Sequence, residues 1–263
     1  NCFVDSPGGS TACAGIAGVS VQLLRAGIRP KVYIVTSVSS LFTLQLALSI
    51  NPEYTYLQDT ALKETIGVNM QKMFGRYPPF NKKGKISWSA IWRLITNKIG
   101  LGVQNTAHYI TDHVSKEMFL EYKKEDQYAH IYVSMYNYKN ISIVYKNLKY
   151  LTYNEMFYVC DASSYMPKVA PRIMEDKNGI PTAYYDGGWI DKNASISAKP
   201  ILERHNIQNV VSIYHHQKKR GQGVNHIPRS NMEVLKEYTS SLLHQHSLAD
   251  EKGMALLVEQ IPK

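Results

Sequence analysis

The sequence predicts an α/β domain in which helices cover a mostly parallel central sheet. Its first fifty residues alternate strand-like apolar runs with helix-like runs, and a glycine-rich turn joins the first pair. A β-α-β-α pattern of this kind implies parallel strands connected by helical crossovers. The chain has 263 residues, of which 44% are hydrophobic and 19% charged. It is therefore long enough to bury one full core, and a single domain over residues 1–263 is expected.

The N-terminal part carries the clearest alternation of elements. The expected order is a strand at residues 2–5, a turn at 6–10, a helix at 12–26, a strand at 31–36 and an apolar helix at 41–48. Gly15 and Gly18 lie within the first helix and are expected to let it pack closely on the sheet.

The middle of the chain is more helical, and strands return after it. Apolar residues recur at helical spacing over residues 62–74, 88–99 and 105–122. The second stripe, which contains Trp88 and Trp92, is interpreted as facing the core, and a membrane-contacting lid is the alternative. Further expected elements are a hairpin at residues 130–145, a strand at 209–214, a helix at 232–243 with a capping box, and a last strand at 254–258.

Bulk properties restrict the setting in which the protein works. No apolar run approaches the roughly 20 residues that a membrane span requires. Three cysteines without a framework spacing favour a reducing compartment, so a cytoplasmic location is expected, with peripheral contact at membranes. Abundant Tyr, Lys, Ile and Asn are typical of an AT-rich genome, and for a viral or pathogen protein the compartment would be the host cytoplasm.

The net charge of +9 is moderate and gives only weak support to an anionic partner, for which nucleic acid and an anionic membrane surface are the candidates. Nucleic acid is the less favoured of the two because only the charge supports it. The densest basic run, at residues 215–220, is interpreted as a solvated face. The histidines lack partners at ligand spacing and no phosphate-binding loop motif is present, so neither a metal nor a cofactor is expected.

Two turns carry the residues that point to chemistry. Ser37 ends one apolar run and opens another, and a serine between a strand and a helix has the geometry of a nucleophile elbow. Asp186 precedes Gly187 and Gly188, which allow a sharp turn beside a reacting group. A serine needs a base within hydrogen-bond reach, so the pair predicts an acyl-transfer site.

Four segments, in order, resemble the patatin-like phospholipase family of serine acyl hydrolases. They are Pro7-Gly8-Gly9-Ser10-Thr11-Ala12, Val35-Thr36-Ser37-Val38-Ser39, the block from Asp161-Ala162-Ser163-Ser164 to Pro167 and Pro171, and Asp186-Gly187-Gly188 followed by Asn193. In the family these places hold a glycine-rich oxyanion loop, a Gly-x-Ser-x-Gly elbow, an Ala-Ser…Pro…Pro block and an Asp-Gly-Gly/Ala motif. The resemblance is strongest over residues 1–215.

This resemblance implies a three-layer α/β/α fold and a serine–aspartate dyad that acts without histidine, metal or cofactor. Ser37 would be the nucleophile and Asp186 its base, with Gly187 and Gly188 forming the supporting turn. The resemblance assigns the oxyanion hole to the backbone N–H groups of Gly8, Gly9 and Ser10. The implied substrate is a phospholipid or lysophospholipid acyl ester, and an activating or assembly protein is a further implied partner. The 161–171 block is expected to pack under the site.

The sequence also departs from the family pattern, which keeps a second interpretation open. Val35 and Ser39 replace the two glycines of the elbow, and Pro7, which has no N–H to donate, replaces the first glycine of the oxyanion loop. Thr11 and Ala12 stand where the family usually has a basic residue and glycine. The alternative is a catalytically silent patatin-like fold that serves as a binding or assembly module.

Overall fold

The structure, a computed structural model, describes residues 2–6, 13–66, 112–164, 172–175, 179–189 and 198–213, together with Trp88, Trp92, Thr96 and Ile110. Helices α1 to α6 cover Cys13–Arg25, Ser39–Leu48, Tyr56–Ile66, Lys116–Lys124, Tyr153–Ser164 and Lys199–Arg204. Strands β1 to β7 cover Cys2–Ser6, Val32–Thr36, His130–Asn137, Ser142–Asn147, Arg172–Glu175, Pro181–Asp186 and Asn209–Ser212. Short 3-10 helices cover Pro52–Tyr54, Leu148–Tyr150 and Gly187–Trp189.

The described strands form one open, mixed sheet. Its order is β5-β6-β3-β2-β1-β7, and β4 also pairs with β3. Strands β7, β1, β2 and β3 run parallel, whereas β4 and β6 are antiparallel to β3 and β5 is antiparallel to β6. The architecture is α/β as predicted, and the expected hairpin is confirmed as β3 and β4. The described part of the sheet is less parallel than expected, because half of its strand pairings are antiparallel.

Strands β2 and β6 lie on the same edge of β3. The N–H of His130 donates to the Lys31 carbonyl at the start of β2, and the N–H of Tyr138 donates to the Ala183 carbonyl in β6. Residues an even number apart along a regular strand direct their backbone N–H groups to the same edge of that strand, as His130 and Tyr138 do on β3. Because β2 is parallel to β3 and β6 is antiparallel, the two strands approach each other end to end along β3. This arrangement positions the candidate site.

Alternate residues of β2 divide between two apolar clusters. Tyr33 and Val35 belong to the larger cluster, which includes buried residues of α1, α2 and α5. Val32 and Ile34 belong to a smaller cluster with residues of α6. Both faces of β2 are therefore covered, as a buried parallel strand requires. The larger cluster also contains Cys13 and Cys160.

The helix expected over residues 105–122 is not continuous. Ser115 has an extended backbone, and its side-chain oxygen accepts a hydrogen bond from the Met118 N–H at 3.2 Å. A serine in this position caps a helix, so α4 begins at the next residue, after a turn at Asp112 and His113. The apolar stripe spans the interruption, which explains why periodicity alone does not reveal it.

Close packing at Gly15 and Gly18 is also a wrong expectation. Among the described residues, apart from its chain neighbours and the backbone of its own helix, a Cβ added at either position would meet no atom within 4 Å. Alanine loses less conformational freedom than glycine in a helix. Gly18→Ala is therefore expected to raise the free energy of unfolding by about 0.5–1 kcal/mol, measured by urea denaturation. A lower value would mean that the glycine is required for packing after all.

Trp88 and Trp92 do not face the core. Both are in helical positions, and their side chains are 85% and 68% exposed, respectively. The interpretation of these two residues as part of a core-facing stripe is therefore wrong. Within the described parts of the chain, no helix combines the length and the apolarity that crossing a bilayer would take.

Several expectations fall on residues outside the described ones. They are the oxyanion loop with Gly8, Gly9 and Ser10, the prolines of the 161–171 block, the basic run at 215–220, the helix at 232–243 and the strand at 254–258.

Two histidine rings lie against each other at the amino-terminal end of β3. The ring centroids of His130 and His205 are 4.4 Å apart. Asn147 donates its side-chain N–H to Nδ1 of His130 at 2.9 Å, and Nε2 of His205 is 2.8 Å from the hydroxyl of Tyr132. Burial lowers the pKa of His205 from 6.5 to about 4, with His130, Lys31 and Arg204 adding to the effect. Burial also lowers the pKa of His130, helped by Lys149 and Lys31 and opposed by Asp126.

These depressed pKa values predict a loss of stability in mild acid. Between pH 6.5 and about 4 the unfolded chain binds a proton at His205 that the folded protein does not bind. The free energy of unfolding should therefore fall as pH drops through this window, by at most about 1.4 kcal/mol per pH unit for each histidine. Urea denaturation at pH 7 and pH 5 measures the slope. His205→Gln should have a shallower slope, and an unchanged slope would contradict the assignment.

Candidate active site

Ser37 lies in a strained turn between β2 and α2. Its φ angle is 57°, in the left-handed region that L-residues other than glycine rarely adopt. Strand β2 ends at Thr36 and helix α2 begins at Ser39, so the chain turns within two residues. A nucleophile elbow has this strand–turn–helix geometry, with the serine in a strained backbone conformation. The strand–turn–helix geometry that the sequence predicts around Ser37 is present.

Hydrogen bonds from two other serines fix the backbone of this turn. The N–H of Ser37 donates to Oγ of Ser163 in α5, at 2.8 Å. The hydroxyl of Ser40 donates to the Ser37 carbonyl at 2.7 Å, and the N–H of Ser40 donates to the same oxygen at 3.0 Å. Both polar groups of the Ser37 backbone are thus satisfied in the strained conformation, which the surrounding structure therefore stabilises.

The described part of the 161–171 block packs under the elbow, as expected. Residues Asp161 to Ser164 form the last turn of α5 and are buried. Sequence reasoning did not identify the hydrogen bond from the Ser37 N–H to Ser163. The sequence signal for it is the pair Ser163-Ser164 at the end of α5, because buried hydroxyls need hydrogen-bond partners.

The residues that replace the elbow glycines are accommodated without blocking the turn. Val35 is fully buried in β2, where its register partners are Ser6 in β1 and Val133 in β3. Its side chain points into the larger apolar cluster, a place that suits a β-branched residue. Ser39 is also fully buried and is the first residue of α2.

Strand β6 ends at Asp186, next to the end of β2 along β3. Asp186 pairs with Met135 in β3, and the preceding residue of β3, Ser134, pairs with Thr36, the residue before Ser37. The carboxyl ends of β2 and β6 therefore meet on one edge of β3, a single register step apart, which is about 3.3 Å along the strand. The two predicted site residues, remote in sequence, belong to these two meeting chain ends.

The turn that follows Asp186 lies tightly against β3. A Cβ added to Gly187 would approach Oγ of Ser134 to 2.5 Å and the Ser134 carbonyl carbon and oxygen to 2.9 Å each. Ser134 in turn lies within hydrogen-bond distance of Thr36, with 2.6 Å between the two hydroxyl oxygens. The N–H of Gly188 donates to Oδ1 of Asp186 at 2.8 Å. Glycine is thus required at position 187 for close approach, and the turn orients the carboxylate.

The strand that precedes the predicted oxyanion loop in sequence pairs with β2. Strand β1 ends at Ser6, which pairs with Val35 of β2. The carboxyl ends of neighbouring parallel strands lie at the same edge of a sheet. The described part of β1 therefore ends next to the end of β2, and Gly8, Gly9 and Ser10 lie outside the described residues.

Burial disfavours the reactive form of a second nucleophile close to the elbow. Cys160 is buried, and its thiol lies 3.6 Å from the Ser40 carbonyl. Burial raises the pKa of this thiol well above its ordinary value, and the charge of Asp161 adds to the effect. A thiol that stays protonated is a poor nucleophile. Ser37 is therefore the better candidate of the two.

No metal cluster accompanies these groups in the described parts of the chain, where no set of three or more His, Cys, Asp and Glu side chains is arranged to hold an ion. Comparison with known proteins adds no assignment. The chain matches no protein-family model, and no curated protein is significantly similar to it in sequence.

The strain at Ser37 has a measurable consequence. Glycine adopts a φ of 57° without a steric penalty, whereas an L-residue in the left-handed region loses about 1–2 kcal/mol. Ser37→Gly is therefore expected to raise the free energy of unfolding by up to about 1 kcal/mol, after the larger entropy of unfolded glycine is subtracted. Ser37→Ala, which keeps the Cβ, should leave it nearly unchanged. Equal stabilities for the two variants in urea denaturation would contradict the strained elbow.

Proposed function

We propose that the chain is a serine acyl hydrolase with a three-layer, patatin-like α/β/α fold. In this proposal it cleaves acyl esters of phospholipids or lysophospholipids. The observation that carries the proposal is the strained Ser37 turn, where the end of β2 meets the Asp186 end of β6 on one edge of β3. Backbone strain of this kind is a feature of functional sites, because selection for stability alone would remove it.

The chemistry follows from the two side chains and the backbone around them. The Ser37 hydroxyl attacks the ester carbonyl while the Asp186 carboxylate takes its proton. The tetrahedral oxyanion is bound by N–H groups of Gly8, Gly9 and Ser10, and the positive end of the α2 dipole faces it. The C–O bond to the leaving alcohol breaks, and Asp186 returns the proton to that alcohol. Water then attacks the acyl-serine, Asp186 takes and returns a proton in the same way, and fatty acid is released.

The proposed setting is the cytoplasmic side of a membrane. A phospholipid substrate resides in a bilayer, and a net charge of +9 draws the protein toward anionic lipid. An activating or assembly protein is a further proposed partner. The proposal requires no metal or cofactor for the acyl transfer itself.

Fatty-acid release from labelled vesicles tests the function. Purified protein is incubated with phospholipid or lysophospholipid carrying a labelled acyl chain, and Ser37→Ala serves as the inactive blank. Ser142→Ala is the matched control, because Ser142 is exposed on β4 at the far edge of β3. Release by the wild-type protein and the control, but not by the blank, is expected. The assay is repeated with cell extract in case an activating protein is needed.

The second candidate function is a silent patatin-like module for binding or assembly. The observations that favour it are Val35 and Ser39 in place of the elbow glycines and Pro7 in the oxyanion loop. A silent module would release no fatty acid with or without extract, and its Ser37→Ala variant would keep full partner binding.

A further inference from the structure

We propose that Trp88 and Trp92 form a docking surface for an anionic lipid membrane. The inference deepens the proposed function, since it names the surface that brings the protein to a lipid substrate. Its test is a binding measurement that needs no hydrolysis, so failure of the surface and failure of the chemistry can be told apart.

The two tryptophans present one helix face to solvent. Both positions are helical, and residues four apart lie above one another on a helix. The hydroxyl of Thr96 donates to the Trp92 carbonyl, four residues earlier, at 3.0 Å, which continues the same line. With 85% and 68% exposure, these are the largest side chains among the exposed apolar residues that the structure describes. Tryptophan is otherwise among the most buried side chains on average.

The charge of the surrounding sequence selects the partner. Between Glu64 and Asp112 the chain has seven Lys and Arg residues and no Asp or Glu. This stretch thus supplies most of the net charge of +9. Basic residues near an anionic bilayer each contribute about 1 kcal/mol of attraction, and tryptophan prefers the boundary between headgroups and acyl chains. Basic charge and exposed tryptophan together therefore fit an anionic membrane.

Nucleic acid is the competing partner, because bases also stack on tryptophan in basic grooves. The sequence favours lipid. Ile91, Ile95 and Ile99 follow the tryptophans at the same helical spacing, and aliphatic side chains gain from acyl chains rather than from base stacking.

Vesicle binding tests the surface. The Ser37→Ala protein is used throughout so that no lipid is hydrolysed. It should co-sediment with vesicles of phosphatidylcholine and phosphatidylserine, bind pure phosphatidylcholine far more weakly, and lose binding as salt rises. Two of its three tryptophans should move to shorter emission wavelengths on binding. Trp88→Ser with Trp92→Ser should weaken binding about tenfold or more.

The matched control is Tyr56→Ser with Tyr150→Ser, which removes two exposed aromatic side chains that belong to other elements of the fold. This double variant should bind the vesicles like its parent. Equal binding by the tryptophan variant and its parent would overturn the proposal. So would an emission shift with single-stranded oligonucleotides but not with vesicles, which would identify nucleic acid as the partner.

Discussion

Replacing Asp186 with Asn is expected to lower the rate of phospholipid hydrolysis by about 10²–10⁴-fold. Asparagine has nearly the same shape and keeps an oxygen for the Gly188 N–H, which donates to Oδ1 at 2.8 Å in the wild-type protein. Its neutral amide cannot take the Ser37 proton, however. The loss should therefore appear in the catalytic rate while the unfolding midpoint stays within a few degrees. Initial rates of fatty-acid release and thermal unfolding measure both quantities.

The proposed dyad can be tested further with a double variant, because the effects of substituting two residues that act as one unit are not additive. The Ser37→Ala, Asp186→Asn double variant should be no less active than Ser37→Ala alone. Asp59→Asn is the carboxylate control: Asp59 forms an exposed ion pair with Arg25, and its replacement should leave activity unchanged. Full activity in Asp186→Asn, or losses that multiply in the double variant, would remove Asp186 from the mechanism.

Replacing Gly187 with Ala is expected to damage stability and activity together. The added Cβ would lie 2.9 Å from two backbone atoms of Ser134, and backbone in a central strand cannot move aside easily. Overpacking of this kind lowers the free energy of unfolding by about 1–3 kcal/mol. It also pushes the Asp186 turn away from β3, and a displacement of about 1 Å in a catalytic group can lower the rate about 10²-fold. Urea denaturation and initial rates measure the two effects.

Gly18→Ala is the matched control for this substitution. It adds the same methyl group where no described atom outside its own helix lies within 4 Å, so it should be slightly stabilising and fully active. A Gly187→Ala protein with wild-type stability and activity would show that the turn does not depend on its contact with Ser134.

The local elements were predictable because their signals are local. The apolar run before Ser37 and the change from strand to helix spacing after it are visible in the sequence, and α1, β2 and α2 lie within two residues of their expected bounds. The expectations were wrong where a polar side chain starts a new helix within an apolar stripe, and where apolar residues at helical spacing are exposed to solvent. Ser115 starts a new helix inside an apolar stripe, and Trp88 is exposed although its spacing resembles that of a core residue.

The sequence indicates the two candidate site residues, but it does not indicate how the fold brings them together. Serine and aspartate at two turns could be identified from a four-segment resemblance. Their meeting on one edge of β3 depends on the antiparallel direction of β6, which no local pattern encodes. The contact of Ser163 with the Ser37 N–H bridges 126 residues, so only the folded chain reveals it. The large antiparallel portion of the sheet was not predicted for the same reason, because the direction of a strand depends on tertiary connections and not on a local pattern.

Covalent labelling of the nucleophile tests the central claim most directly. A fluorophosphonate reacts with an activated serine and needs no knowledge of the natural lipid. Mass spectrometry of the digested protein should find one adduct, on Ser37, and the adduct should be nearly absent in Asp186→Asn. An adduct on another serine, or equal labelling of Ser37 in the Asp186→Asn variant, would contradict a serine activated by this aspartate.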